Sequence, residues 1–203
     1  MVSRMTGLQS TVENSIKDGI DLHQKLLTDF VPNVVELADL ILETFEQGGK
    51  LFFVGNGGSA AEAQHIATEF IVRFRHQRRA LPVIALTTDT SVMTAIGNDY
   101  DFDQLFARQV EALMGPGDLL VALSTSGSSP NINEAVKMAR QRGAKTVGFT
   151  GNRRGPLTEL VDVALEAPSG DTQRIQEAHL LLWHIICDLV ETVIVEQEQS
   201  NGK

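Results

Sequence analysis

Short apolar and β-branched runs recur along the chain at residues 51–54, 83–87, 119–123, 146–150 and 161–165. Their length suits buried strands rather than helices. Most are followed by Gly, Ser, Thr, Asp or Asn, and then by a stretch with helical periodicity. Such stretches predict helices over 8–28, 31–47, 59–74, 90–97, 102–113, 130–142 and 172–197. Two helices thus precede the first strand and one long helix follows the last. Strands alternating with helices imply right-handed crossovers and a parallel sheet covered on both faces, an α/β fold. One domain over 1–203 is expected, with N-terminal helices in 1–48, a sheet core in 49–170 and a C-terminal helix in 171–203.

The last helical segment, IQEAHLLLWHIICDLVETVIVEQ, is apolar around much of its circumference. Such a helix is buried on more than one side. A monomer of 203 residues has little material to cover both it and the N-terminal pair, so a homo-oligomer is expected.

Charge and composition narrow the function. The formal net charge is −9, and a nucleic-acid binder needs a basic face to displace counterions. The densest basic run, Arg73 to Arg79, reads for the most part as a solvated helix end. The single cysteine, Cys187, sits in an apolar helical run and is expected to be buried in a reducing compartment. The start, MVSRMTGLQSTVENSIKDG, has no apolar core of a secretion signal. No apolar run approaches the ~20 residues of a membrane span. A cytoplasmic protein with neither nucleic acid nor membrane as partner is expected.

Ligands of open parallel sheets bind beyond the carboxyl ends of the strands. Two loops there could hold a phosphate. Gly55-Asn56-Gly57-Gly58-Ser59 follows the first strand and opens a helix, where glycines let the backbone approach a ligand and free N–H groups face it. Ser124-Thr125-Ser126-Gly127-Ser128-Ser129 follows the third strand and opens another helix at Pro130. One helix cap needs one hydroxyl. Five in six residues exceed that need and point to phosphate oxygens. Neither loop carries the lysine of a P-loop. Gly55-x-Gly57-x-x-Ala60 matches a loose dinucleotide fingerprint, but Asp89 lies further on than the ~20 residues expected of a ribose-binding acid.

His65 and Glu69 lie four positions apart on the helix after the first loop, so they share one face ~6 Å apart along the axis. That spacing suits two ligands of one metal, and equally a surface pair. The last helix carries Gln176, Glu177, His179 and His184. His184 in an apolar stretch needs a partner to offset its desolvation. Gln176 and His184 lie ~12 Å apart along a helix, so spacing alone does not make them a metal site.

The segments GNGGSAAEAQHIATEF, TAIGNDYDF, STSGSSPN and TQRIQEAHLLLWHI together resemble the phosphoheptose isomerases, or sedoheptulose 7-phosphate isomerases, of the sugar isomerase (SIS) domain superfamily. The resemblance runs through nearly the whole chain. It implies a five-stranded parallel sheet flanked by helices in a homotetramer. It also implies aldose–ketose isomerisation of sedoheptulose 7-phosphate to D-glycero-D-manno-heptose 7-phosphate, the first step of heptose supply for bacterial surface polysaccharide.

By resemblance, a zinc ion, one per subunit, falls to His65, Glu69, Gln176 and His184. Contacts to the phosphorylated seven-carbon sugar fall to Asn56, Gly57, Gly58, Ser59, Glu69, Arg73, Asn98, Asp99, Ser124, Thr125, Ser126, Ser129 and Gln176. Glu69 is then the expected base and His184 the expected acid of an enediol mechanism. Ser128 departs from the asparagine common in relatives. The rival function is that of a sister group that binds the replication initiator and regulates chromosome replication. That group lacks the acid and base found here at Glu69 and His184. Sugar-phosphate-sensing regulators carry an added DNA-binding module, and arabinose 5-phosphate isomerases an added regulatory domain.

Overall fold

The computed structural model describes residues 2–201. Five parallel strands form one sheet: β1 Leu51–Gly55, β2 Val83–Ala85, β3 Leu119–Leu123, β4 Lys145–Gly151 and β5 Val163–Ala167. Their spatial order is β2-β1-β3-β4-β5. The helices are α1 Val2–Asp29, α2 Val31–Glu46, α3 Gly58–Ile71, α4 Thr90–Asp99, α5 Ala107–Leu113, α6 Pro130–Gln141, α7 Pro156–Leu160 and α8 Thr172–Asn201.

The alternation of the strands builds two cores. Leu51 and Phe53 of β1, Val121 of β3 and Phe149 of β4 face one layer, which α1, α2, α3 and α8 cover. Phe52 and Val54 of β1 and Leu120 and Ala122 of β3 face the other, under α5, α6 and α7. A sheet covered on both faces needs strands apolar on both, and β1 and β3 are buried throughout. The chain leaves β1 toward β2 on one side and returns to β3 on the other. The crevice between β1 and β3 is therefore the switch point where α/β sheets place ligands.

Several boundaries differ from expectation. The predicted helix over 102–113 is broken. Asp101 caps a 3-10 turn at Phe102–Gln104 by accepting from the Gln104 N–H, and α5 starts only at Ala107. The second strand ends at Ala85, short of residue 87. The fifth starts at Val163 because Val161 ends α7, a five-residue helix too short to show periodicity. The predicted helix over 59–74 stops at Ile71, and the N–H groups of Phe74, Arg75 and His76 beyond it go to a carboxylate of α8.

α8 corrects another expectation. By length and mean hydropathy it qualifies as a membrane span. In this fold, Ile175, Ala178, Leu182, Trp183, Ile186, Val190 and Ile194 pack into the core under β1, β3 and β4. Cys187 is buried there as expected, and burial pushes its thiol up. The basic run also needs correction at one position. Arg73, Arg75 and Arg79 are exposed, but the Arg78 side chain is only 1% accessible.

Candidate active site

The two loops beyond β1 and β3 meet at the switch point. Gly57 stands at φ +55°, a left-handed conformation that favours glycine, and gives way to α3 at Gly58. Asn56 and Asn131 join the loops through two reciprocal amide hydrogen bonds of 2.8 and 2.9 Å. Asn131, the second residue of α6, is buried and was not anticipated from sequence; the only sequence signal was its place two residues after the hydroxyl loop.

The hydroxyls of the second loop face one another rather than capping α6. Ser124 Oγ lies 3.4 Å from Ser129 Oγ, and Ser128 Oγ lies 3.0 Å from Ser126 Oγ. Ser129 occupies the N-cap position of α6 without a side-chain cap bond. The capping role leaves these hydroxyls unexplained, whereas a cradle of donors at a helix start suits an anion. The loop is braced from behind by the Gly151 N–H donating to the Thr125 carbonyl, and by the Leu157 N–H donating to the Gly127 carbonyl.

α3 and α8 bring three titratable side chains together. His65 Nε2 lies 3.0 Å from His184 Nε2 and 3.6 Å from Glu69 Oε1. Burial lowers the His184 imidazole below its ordinary value; His65 adds to that and Glu69 opposes it. The Phe74 ring stacks on His184 with centroids 5.7 Å apart.

Gln176 of α8 stands against Gly58 at the start of α3. A Cβ on Gly58 would come within 2.3 Å of Gln176 Nε2, so glycine is what admits this amide. Gly58, Glu62, His65 and Gln176 line a cleft of about 440 Å³. Glu62 was missed by sequence reasoning. It is 8% exposed, its Oε1 has no hydrogen-bond partner, and burial raises its carboxyl to about 8. Its sole sequence signal was an acid one turn inside a helix that starts at a ligand loop.

Not every predicted contact converges within one chain. Asn98 and Asp99 end α4, are exposed and bond to each other through Asn98 Nδ2 and Asp99 Oδ1. Among the described residues no hydrogen bond or ion pair links them, or the exposed Arg73, to the His65–Glu69–His184 group. Ser59 is buried at the start of α3.

His65, His184, Glu69 and Gln176 are the side chains that could hold a divalent metal. Donors of a tetrahedral zinc site lie ~3.3 Å apart, given Zn–N bonds of about 2.0 Å. The two imidazole nitrogens already have that spacing. Among the described residues no group of three His, Cys, Asp or Glu side chains stands at ligand spacing; Glu69 Oε1 is 3.6 Å from His65 Nε2.

Comparison with known proteins gives the family. The SIS domain family matches residues 16–151. The chain is 50% identical over 184 residues to the phosphoheptose isomerase of Trichlorobacter lovleyi, covering 91% of this chain and 94% of that one. It is 52% identical over 182 residues to that of Burkholderia pseudomallei, covering 89% and 92%. Among solved structures, phosphoheptose isomerase from Neisseria gonorrhoeae superposes with a TM-score of 0.87 at 42% identity, covering 91% of this chain and 99% of the other. That from Francisella tularensis gives 0.88 at 34% identity, covering 90% and 97%. The chain belongs to the SIS domain family and, within it, to the phosphoheptose isomerases, a family of sugar-phosphate isomerases.

Proposed function

We propose that the chain converts sedoheptulose 7-phosphate to D-glycero-D-manno-heptose 7-phosphate, the entry step of heptose synthesis for surface polysaccharide, in the cytoplasm. The observation that carries this reading is the approach of Glu69 on α3 and His184 on α8 to the same imidazole, His65, beside two loops suited to a phosphorylated sugar. A non-catalytic regulator has no use for an acid and a base brought together from different helices.

Isomerisation of a ketose moves one proton from C1 to C2 and rearranges the oxygen-bound protons. Glu69 takes the C1 proton as general base. His184, whose Nε2 faces His65, gives a proton from Nδ1 to the C2 oxygen, which completes the enediol. Glu69 then returns its proton to C2 while His184 accepts the O1 proton, leaving the C1 aldehyde and both groups as they began. The hydroxyls of Ser124, Thr125, Ser126 and Ser129, with the N–H groups at the start of α6, hold the phosphate and so fix the other end of the substrate. Asn56, Gly57, Gly58, Ser59 and Gln176 hold the sugar, and Gln176 orients its open-chain form. Arg73, Asn98 and Asp99 complete the site as further substrate contacts.

His65, Glu69, Gln176 and His184 would hold one zinc ion per subunit, and the pair of imidazole nitrogens in reach of a carboxylate supports that reading. Such an ion supplies polarisation of the substrate carbonyl. The assembly is a homotetramer. Its support is an apolar surface with Leu8, Val12, Ile16 and Ile20 along α1, and Leu27, Val31, Val35, Ile185 and Leu189 where α1, α2 and α8 meet.

The test is turnover. Purified protein is given sedoheptulose 7-phosphate, with arabinose 5-phosphate in parallel, each with and without zinc. Formation of aldoheptose phosphate from the first substrate is expected. A preference for the pentose would overturn the substrate, and no turnover of either under any metal condition would overturn the enzyme.

A further inference from the structure

Three consecutive backbone N–H groups converge on one buried carboxylate. Glu191 Oε1 accepts from the Phe74 N–H at 2.8 Å, and Oε2 accepts from those of Arg75 and His76 at 2.5 and 2.8 Å. The Arg78 guanidinium faces the same carboxylate as a counter-charge, its Nε 3.3 Å from Glu191 Oε1 without a hydrogen bond, and both side chains are 1% accessible. Burial pushes the Glu191 carboxyl up, but the three N–H groups and Arg78 together outweigh that and hold it below the usual carboxylate range. A buried charge this well supplied with donors fixes the chain around it.

What it fixes is the segment between the two acid–base groups. Arg78 also donates from Nη2 to the Glu69 carbonyl at 2.8 Å and from Nη1 to the Arg79 carbonyl at 2.9 Å. The Glu69 carbonyl is one of those left open at the end of α3, so the guanidinium closes the helix on which the Glu69 side chain stands. Phe74, whose N–H is held by Glu191, lays its ring on His184 at 5.7 Å and 29°. Glu191 lies two turns beyond His184 on the same helix, with Asp188 between them paired to Arg75 at 3.1 Å.

We propose that Glu191 and Arg78 form a clasp that positions the reacting pair, setting the end of α3 at Glu69 and, through Phe74, the plane of the His184 ring. Neither touches substrate; both are positioning residues. The inference rests on the reading of Glu69 and His184 as base and acid given above. The backbone bonds to Glu191 span more than a hundred residues of sequence, so the clasp also ties α8 to the loop that follows α3.

The test compares Glu191→Gln, Phe74→Leu, the double variant and Val110→Ala, a core change on α5 across the sheet from the clasp. All are assayed on sedoheptulose 7-phosphate with zinc present, and thermal midpoints are recorded alongside. Small misplacement of reacting groups costs up to about 100-fold. A fall in kcat of roughly 10- to 100-fold is therefore expected in Glu191→Gln, with KM within about twofold of wild type. Phe74→Leu keeps every N–H to Glu191 and is expected to lose kcat as well. The double variant should be no slower than Glu191→Gln, because both changes act through one ring. Val110→Ala should lose stability and keep kcat.

Wild-type kcat in Phe74→Leu overturns the proposal, and that decision stands even if Glu191→Gln fails to fold. Multiplying effects in the double variant also overturn it. An inactive wild type, or full activity in His184→Ala, overturns the parent reading instead.

Discussion

His65 Nε2 and His184 Nε2 stand 3.0 Å apart, although 119 residues separate them in the chain. Without a third party, one ring must turn its N–H toward the other's lone pair, so the two facing nitrogens cannot both carry a proton. A divalent ion between them relieves that constraint, since both nitrogens then act as donors to the metal. Purified protein is expected to carry about one zinc per chain by elemental analysis, the occupancy of a single three- or four-donor site. Chelation should remove the ion and the activity together, and His65→Ala should not retain it. Metal-free protein with full turnover would contradict this.

Gly58 and Gln176 set a second prediction. A Cβ at residue 58 would stand 2.3 Å from Gln176 Nε2, which leaves no room for alanine unless the amide swings away. Gly58→Ala is expected to fold, because the helical backbone at residue 58 tolerates a side chain, and to lose activity by about 100-fold through the displaced amide. Circular dichroism and steady-state kinetics on the same preparation check both halves. Wild-type activity would show that the amide has no role in orienting the sugar.

The third concerns pH. His179 is fully buried and its Nε2 lies 3.1 Å from the Thr150 carbonyl at the end of β4. Burial lowers its pKa from 6.5 to about 4, despite that hydrogen bond. The unfolded chain therefore binds more protons than the folded one between those two values. Stability from this group is complete above about 6.5 and falls as pH drops toward about 4, by on the order of 3 kcal/mol. Urea unfolding at pH 7, 5.5 and 4.5 should show a steeper loss for wild type than for His179→Gln. Parallel curves would contradict the assignment.

The fourth concerns assembly. Leu8, Val12, Ile16 and Ile20 recur every fourth residue on α1, and each is more than half exposed. At about 25 cal/mol per Å², leaving such a stripe in water forgoes several kcal/mol. Light scattering is expected to give the mass of four chains. Ile16→Lys with Leu27→Lys should reduce it while leaving the circular dichroism of the subunit intact. A monomeric wild type at micromolar concentration would contradict the tetramer.

Much of this was legible in the sequence where the signal is local. β1 and β3 show as apolar runs bounded by Gly and Ser, because both faces of a central strand are buried. The hydroxyl loop at Ser124–Ser129 shows because five hydroxyls in six residues exceed any cap's need. Other features depend on contacts that no local window contains. Asp101 caps a 3-10 turn where periodicity predicts the first turn of a helix. Arg78 lies in a run of charges that looks solvated, and its burial is offset by the charge of Glu191, 113 positions on, and by the Glu69 carbonyl. Phe74 looks like the last residue of a helix until Glu191 takes its N–H. Glu62 is an ordinary helical acid in sequence, and its unpartnered oxygen appears only once α8 covers it.

The claim at the centre is that Glu69 and His184 are the base and acid of an isomerase. Its most direct test is kcat on sedoheptulose 7-phosphate for Glu69→Gln and His184→Ala, with substrate binding measured separately by calorimetry. General acid–base groups contribute roughly 100- to 10,000-fold, so losses of that size are predicted in each variant, with binding of the phosphorylated sugar retained. Wild-type kcat in either variant would contradict the account.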